Sequence, residues 1–115
     1  MTPLITRERL KVEIDAGAVT VVDALGGSYY EQQHLPGAVP LTEDAVDERA
    51  AALLPDKDAP IVTYCSNIAC ANSQAVATRL ERLGYTRVRK YREGIQDWVE
   101  AGLPVETGAH AHLDA

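Results

Sequence analysis

The chain's only two cysteines, Cys65 and Cys70, stand five positions apart in the stretch YCSNIACANSQA, residues 64–75. The β-branched run Ile61-Val62-Thr63 precedes them and a segment with helical periodicity follows. Two thiols so placed admit four chemistries: a structural disulfide, a metal clip, a redox pair, or a sulfur nucleophile with a neighbour. A thiol at a strand end, before a tight loop into a helix, meets backbone N–H groups and the positive end of the helix dipole. Both favour the thiolate, which is the nucleophilic form. The same N–H groups suit an added anionic sulfur or an oxyanion. Ser66, Ala69, Ala71 and Ser73 are small enough to let the loop curl. The competing reading is an inert cysteine packed as a small apolar residue. Position alone does not decide between them.

Composition narrows the choice. A chain of 115 residues is long enough for one domain with a single core, without staples. The apolar share of 46% and charged share of 24% are those of an ordinary globular protein. A formal charge of −6 argues against nucleic acid as a partner, because phosphate binding needs a basic footprint. No apolar run approaches the roughly 18 residues of a membrane span. The opening MTPLITRERLKVEID lacks a signal peptide's apolar stretch, so a cytoplasmic location is expected. Thiols stay reduced there, which counts against a structural disulfide. Cys-x4-Cys with distant histidines fits zinc spacing poorly; neither metal nor cofactor is expected.

The elements that must position these thiols are legible as an alternation. Leu10, Ile14 and Ala18 mark a first helix ended near Gly17, and Val19–Val22 a buried strand. Residues 23–36 read as loop, with Gly26-Gly27 and Pro36-Gly37 as turn signals. After a short extended piece at 38–41, Thr42 is expected to cap a helix carrying Val46, Ala50 and Leu53 inward. Ile61–Tyr64 is a strand; Val76, Leu80 and Leu83 mark a helix closed by Gly84. Val88–Tyr91 is a further strand, and Ile95, Trp98 and Val99 a last helix. Residues 1–106 thus read as one domain and 107–115, with His110 and His112, as a mobile tail. Alternating strands and helices imply a parallel sheet covered on both faces. Ligands of such sheets sit at the carboxyl ends of strands, where Cys65 falls.

Three segments resemble the single-domain rhodanese, or sulfurtransferase, family. They are 21-VVDALGGSYYEQQHLPGA-38, with Asp23 and the His34 motif HLPGA; 61-IVTYC-65 with the helix that follows; and 88-VRKYREGIQDWVEAGLPVE-106. The resemblance covers residues 5–106. It implies a three-layer α/β/α fold around a mostly parallel sheet of four to five strands. It also implies that Cys65 takes a sulfane sulfur from thiosulfate, a persulfide or a polysulfide, and passes it on as a persulfide. The acceptor would be a thiol or cyanide-like nucleophile, free or presented by a protein partner. Residues 66–72 (Ser66, Asn67, Ile68, Ala69, Cys70, Ala71 and Asn72) would form the anion cradle.

The loop departs from the commoner pattern Cys-x-x-Gly-x-Arg-Ser/Thr. Ile68 stands for the glycine, Cys70 for the arginine, and the helix-opening hydroxyl comes late, as Ser73. The loop resembles a less common variant, Cys-x4-Cys-x-x-Ser/Thr. Without that arginine thiosulfate loses a planar cationic donor, which favours persulfide or polysulfide. Arg92, just after the last strand, is the candidate replacement. The phosphatases of this fold use Cys-x5-Arg, and that position here is Ala71. Cys70 is either a resolving thiol or a packed apolar residue. Two alternatives to sulfur transfer follow: a redox switch or reductase using both thiols, and a non-catalytic interaction module.

Overall fold

The computed structural model describes residues 2–108. Of the tail expected at 107–115, residues 109–115, including His110 and His112, lie outside the described residues. The chain runs α1 (Arg7–Asp15), β1 (Thr20–Asp23), α2 (Gly27–Gln32), β2 (Val39–Pro40), α3 (Val46–Leu53), β3 (Ile61–Tyr64), α4 (Asn72–Arg82), β4 (Val88–Tyr91) and α5 (Gly94–Glu100). The four strands form one sheet in the order β2-β1-β3-β4, every pair parallel. β3 is central, and all its residues are buried. No helix among the described residues is long and apolar enough to cross a membrane.

Each strand sends alternate side chains to opposite faces, and the two faces carry separate apolar cores. Val22, Ile61 and Val88 pack against Val46, Ala50, Val76, Ala77 and Leu80 of α3 and α4. Val21, Val62, Tyr64 and Tyr91 pack against Leu10, Tyr30, Ile95 and Trp98 of α1, α2 and α5. Tyr64 faces the second core, so the next residue faces the first. That residue is Cys65, a member of the α3/α4 core. The β-strand period therefore aims the thiol at the start of α4.

Two local expectations change. The segment read as loop at 23–36 contains the short helix α2. Six residues would not hold a helix alone. Tyr30 holds it from the tertiary side: the ring is buried, stacks on His34 at 3.8 Å, and its hydroxyl donates to the Ala38 carbonyl at 2.6 Å. Thr42 does not cap a helix. Its hydroxyl donates to Asp44 at 2.6 Å, residues 43–45 make a 3-10 turn, and α3 starts at Val46. The acidic side chain two residues on draws the hydroxyl away from the helix N–H groups.

The chain closes by a strap. The Trp98 indole donates to the Pro104 carbonyl at 2.7 Å, and His34 and Glu106 exchange backbone hydrogen bonds at 2.9 and 2.8 Å. Gly108 N–H still donates to the Glu31 carbonyl at 2.7 Å, beyond the expected domain boundary.

Candidate active site

Cys65 leaves the end of β3 with its residue only 1% exposed. The backbone there is clamped by α5. Ile95 N–H donates to the Cys65 carbonyl and Gln96 N–H to the Ser66 carbonyl, both at 2.9 Å. This approach requires glycine at position 94. Its φ is +75°, and a Cβ there would lie 2.6 Å from the carbonyl oxygens of Cys65 and Ser66. The loop beyond curls through Asn67. Its side-chain oxygen accepts from Ala69 N–H at 2.9 Å, its carbonyl accepts from Cys70 N–H at 3.1 Å, and its amide donates to Gln96 at 3.1 Å.

The curl brings Cys70 against Cys65. Cys65 Sγ donates to the Cys70 carbonyl at 3.4 Å, and Ser73 Oγ lies 3.6 Å from the same sulfur. Burial pushes the Cys65 thiol above its ordinary pKa, and the neighbouring Cys70 side chain adds to the rise. The Ser73 hydroxyl and backbone N–H pull the other way without reversing it. Burial also opposes ionisation of Cys70. It is outweighed there by hydrogen bonds from the Cys65 thiol, the Asn72 and Ser66 backbones and the Ser66 side chain, so the Cys70 thiol is shifted down. The sequence expectation put the stabilised thiolate at Cys65. In the resting loop the surrounding hydrogen bonds lower the Cys70 thiol while burial raises that of Cys65. Both cysteines are free, Cys65 buried and Cys70 half-buried.

Of the residues expected in the site, Cys70 meets the Cys65 sulfur through its carbonyl, and Ser66 and Asn72 help lower the Cys70 thiol. Ala71 occupies the residue before α4, its carbonyl accepting from Ala75 N–H at 3.1 Å. Asn67, Ile68 and Ala69 line a shallow cavity of about 430 Å³ with Glu93, Gln96, Asp97 and Glu100. Ile68 is 65% exposed at the loop tip. Arg92 stands across Glu93 and Asp97 from the loop cavity. It lines a different cavity with Leu4, Thr6, Arg7 and Glu8, and pairs with Glu93 at 3.7 Å. Asp97, on that rim, is held by Arg7 at 2.9 Å and accepts from the Tyr91 hydroxyl. Sequence reasoning undervalued Ser73 and Gly94. Their signals were a hydroxyl in the first turn after the loop, and a glycine directly after a strand–turn.

Asp23 and His34 brace the same end of the sheet. Asp23 accepts from the N–H groups of Leu25 and Gly26 at 2.7 and 3.2 Å and from the Tyr64 hydroxyl at 2.6 Å. Leu35 N–H donates to that hydroxyl at 3.1 Å. His34 is fully buried and donates through Nδ1 to the Tyr30 carbonyl at 2.7 Å.

A model of the rhodanese-like domain family matches residues 6–101. The chain belongs to the rhodanese-like domain family. It is 36% identical over 105 residues to an HTH-type transcriptional regulator of Mycobacterium tuberculosis, covering 91% of this chain and 45% of that protein. It is 33% identical over 67 residues to thiosulfate sulfurtransferase PspE of Escherichia coli, covering 58% of this chain and 62% of that protein. The rhodanese-like chain thus spans less than two thirds of either curated relative. A crystal structure of the BH2092 protein of Bacillus halodurans superposes with a TM-score of 0.84 at 27% identity, over 92% of this chain and 77% of that one. The parallel four-stranded sheet with helices on both faces is accordingly the rhodanese fold.

Proposed function

We propose that the chain is a sulfurtransferase in which Cys65 carries the sulfur as a persulfide. The observation that carries this reading is the seat of Cys65: the end of the central strand, under a curled loop, with Ser73 Oγ 3.6 Å from its sulfur. Similarity to a thiosulfate sulfurtransferase supports it. Cys65 Sγ attacks the terminal sulfur of a donor, the donor S–S bond breaks, and the leaving thiolate or sulfite takes up the proton that Cys65 loses. An acceptor thiol or cyanide then removes the outer sulfur and restores Cys65. Two steps through a covalent intermediate replace one difficult transfer. The segment 65–72 contains no basic residue and the adjoining cavity is rimmed by Glu93 and Glu100, so persulfide and polysulfide donors suit it better than thiosulfate. Both thiols are free, which suits a reducing compartment.

The test uses variants with one thiol each, treated with polysulfide and examined by intact mass. The Cys70→Ser protein, whose sole thiol is Cys65, is expected to gain the mass of one sulfur; Cys65→Ser is expected to gain none. Uptake by neither variant, or equal uptake by both, overturns the reading.

A further inference from the structure

In the resting loop Cys70 is the neighbour that any sulfur placed on Cys65 will meet. Cys65 Sγ lies 3.4 Å from the Cys70 carbonyl oxygen, so the loop seats Cys70 directly against the sulfur of Cys65. Cys70 is the more exposed of the two. Its position is fixed by the hydrogen bonds that curl the loop, Cys70 N–H to Asn67 carbonyl at 3.1 Å and Ala69 N–H to the Asn67 side chain at 2.9 Å. This is the arrangement of an internal acceptor.

We propose that Cys70 resolves the Cys65 persulfide, closing a Cys65–Cys70 disulfide and releasing hydrosulfide, so that with an external dithiol the chain reduces sulfane sulfur to sulfide. The proposal rests on the Cys65 persulfide argued above. In the step, the Cys70 thiolate attacks Cys65 Sγ, the bond from Sγ to the outer sulfur breaks, and the outer sulfur leaves with the bonding pair as HS⁻. Two cysteine sulfurs are oxidised to one disulfide, and one sulfane sulfur is reduced by two electrons. Attack on the outer sulfur instead would expel the Cys65 thiolate, which burial makes a poor leaving group. Hydrosulfide is the weaker base and leaves more readily. An external dithiol then attacks the more exposed Cys70 sulfur. A mixed disulfide forms, Cys65 is freed, and the second thiol of the reductant frees Cys70. The disulfide is open to this reduction because the Cys70 sulfur is the more exposed of the two.

The experiment is a single turnover of fully reduced protein, freed of added reductant, with a limiting amount of polysulfide, followed by acid quench, intact mass and peptide mapping. Wild type is expected to release one sulfide per protein taking up sulfur. It should lose the mass of two hydrogens and yield a linked 65–70 peptide. Cys70→Ser is expected to hold the added sulfur and release sulfide only when dithiothreitol is supplied. Cys70→Ala is expected to behave identically, which guards against a folding effect of either replacement. If Cys70→Ser takes up sulfur and wild type holds it equally long with no 65–70 link, Cys70 is not the acceptor, while the Cys65 reading stands. Should Cys70→Ser and Cys70→Ala take up none, the Cys65 reading fails and the resolving step with it. Uptake by Cys65→Ser alone reverses the two roles and overturns both.

Discussion

Gly94 and Cys65 are in contact through the backbone: a Cβ at Gly94 would lie 2.6 Å from the Cys65 carbonyl oxygen, which accepts the N–H of Ile95 at 2.9 Å. The turn between β4 and α5 is thereby locked to the first peptide of the cysteine loop. Gly94→Ala must push these backbones apart and also hold alanine at a φ of +75°. It is expected to cost at least about 2 kcal/mol in urea unfolding. It should also slow persulfide formation at Cys65 several-fold in the folded fraction. A variant as stable and as fast as wild type would show that this contact positions nothing.

The distribution of donors in the loop sets the order in which the thiols react. Cys70 is shifted down by its hydrogen bonds and half-buried; Cys65 is shifted up by burial. Iodoacetamide near neutral pH is therefore expected to label Cys70 before Cys65, as the thiolate is the reacting form. Cys65→Ala removes the hydrogen bond that helps lower Cys70, so the pH midpoint for Cys70 alkylation should move upward. Peptide mapping of timed samples reads both effects. Faster labelling of Cys65 would contradict the arrangement of donors.

What the sequence discloses of this site follows from where local rules suffice. The β-branched run to Thr63 identifies β3, and period-two alternation carries Cys65 to the strand end and onto the α4 side. The identity of the sulfur that the N–H groups serve is not local. It depends on the curl through Asn67, whose side chain binds both Ala69 and Gln96 of a distant helix. Arg92 is a similar case. Its place after β4 put it near the sheet's active edge, but the segment ahead of α1 pairs beside β4 through Leu4 and Lys90, and Arg92 joins the cavity this segment forms. The helix α2 was invisible because Gly26-Gly27 signals a turn, while the burial of Tyr30 that stabilises it is a tertiary fact.

The buried Asp23 carboxylate ties three segments to the floor of the site. Tyr64→Phe removes the hydroxyl that donates to Asp23 at 2.6 Å and accepts from Leu35 N–H at 3.1 Å. Both partners are left short of a hydrogen bond in the interior, at about 1–3 kcal/mol each. A loss of about 2–4 kcal/mol in urea unfolding is expected, with persulfide formation kept in the folded protein. Unchanged stability would mean water replaces the hydroxyl.

Acid sensitivity should be concentrated at Glu13. Its carboxyl is held at about 2, against an ordinary 4.5, first by the hydrogen bond from Arg89 and then by Arg9, with burial opposing. A depressed acid stabilises the fold above its unfolded value, and that contribution is lost as pH falls from about 4.5 toward about 2. Glu13→Gln is expected to cost about 2 kcal/mol at neutral pH and less at about pH 3. Urea midpoints at the two pH values check it; a constant difference between variant and wild type would remove Glu13 from the acid response.

The charge around the loop predicts an inverse salt dependence for an anionic donor. Glu93 and Glu100 rim the cavity beside Asn67 and Ile68, Arg92 is paired to Glu93 in another cavity, and the chain carries a formal charge of −6. One carboxylate and a dianion about 9 Å apart in water repel by about 1 kcal/mol, roughly fivefold in rate. Salt screens that repulsion over a Debye length of about 10 Å at 0.1 M. The kcat/KM for thiosulfate is therefore expected to rise with added salt. Glu100→Gln should raise it by a few-fold at low salt and hardly at all at high salt. A site that draws thiosulfate in by positive charge behaves oppositely, so a rate that falls with salt would show that a cation, with Arg92 the nearest candidate, reaches the donor after all.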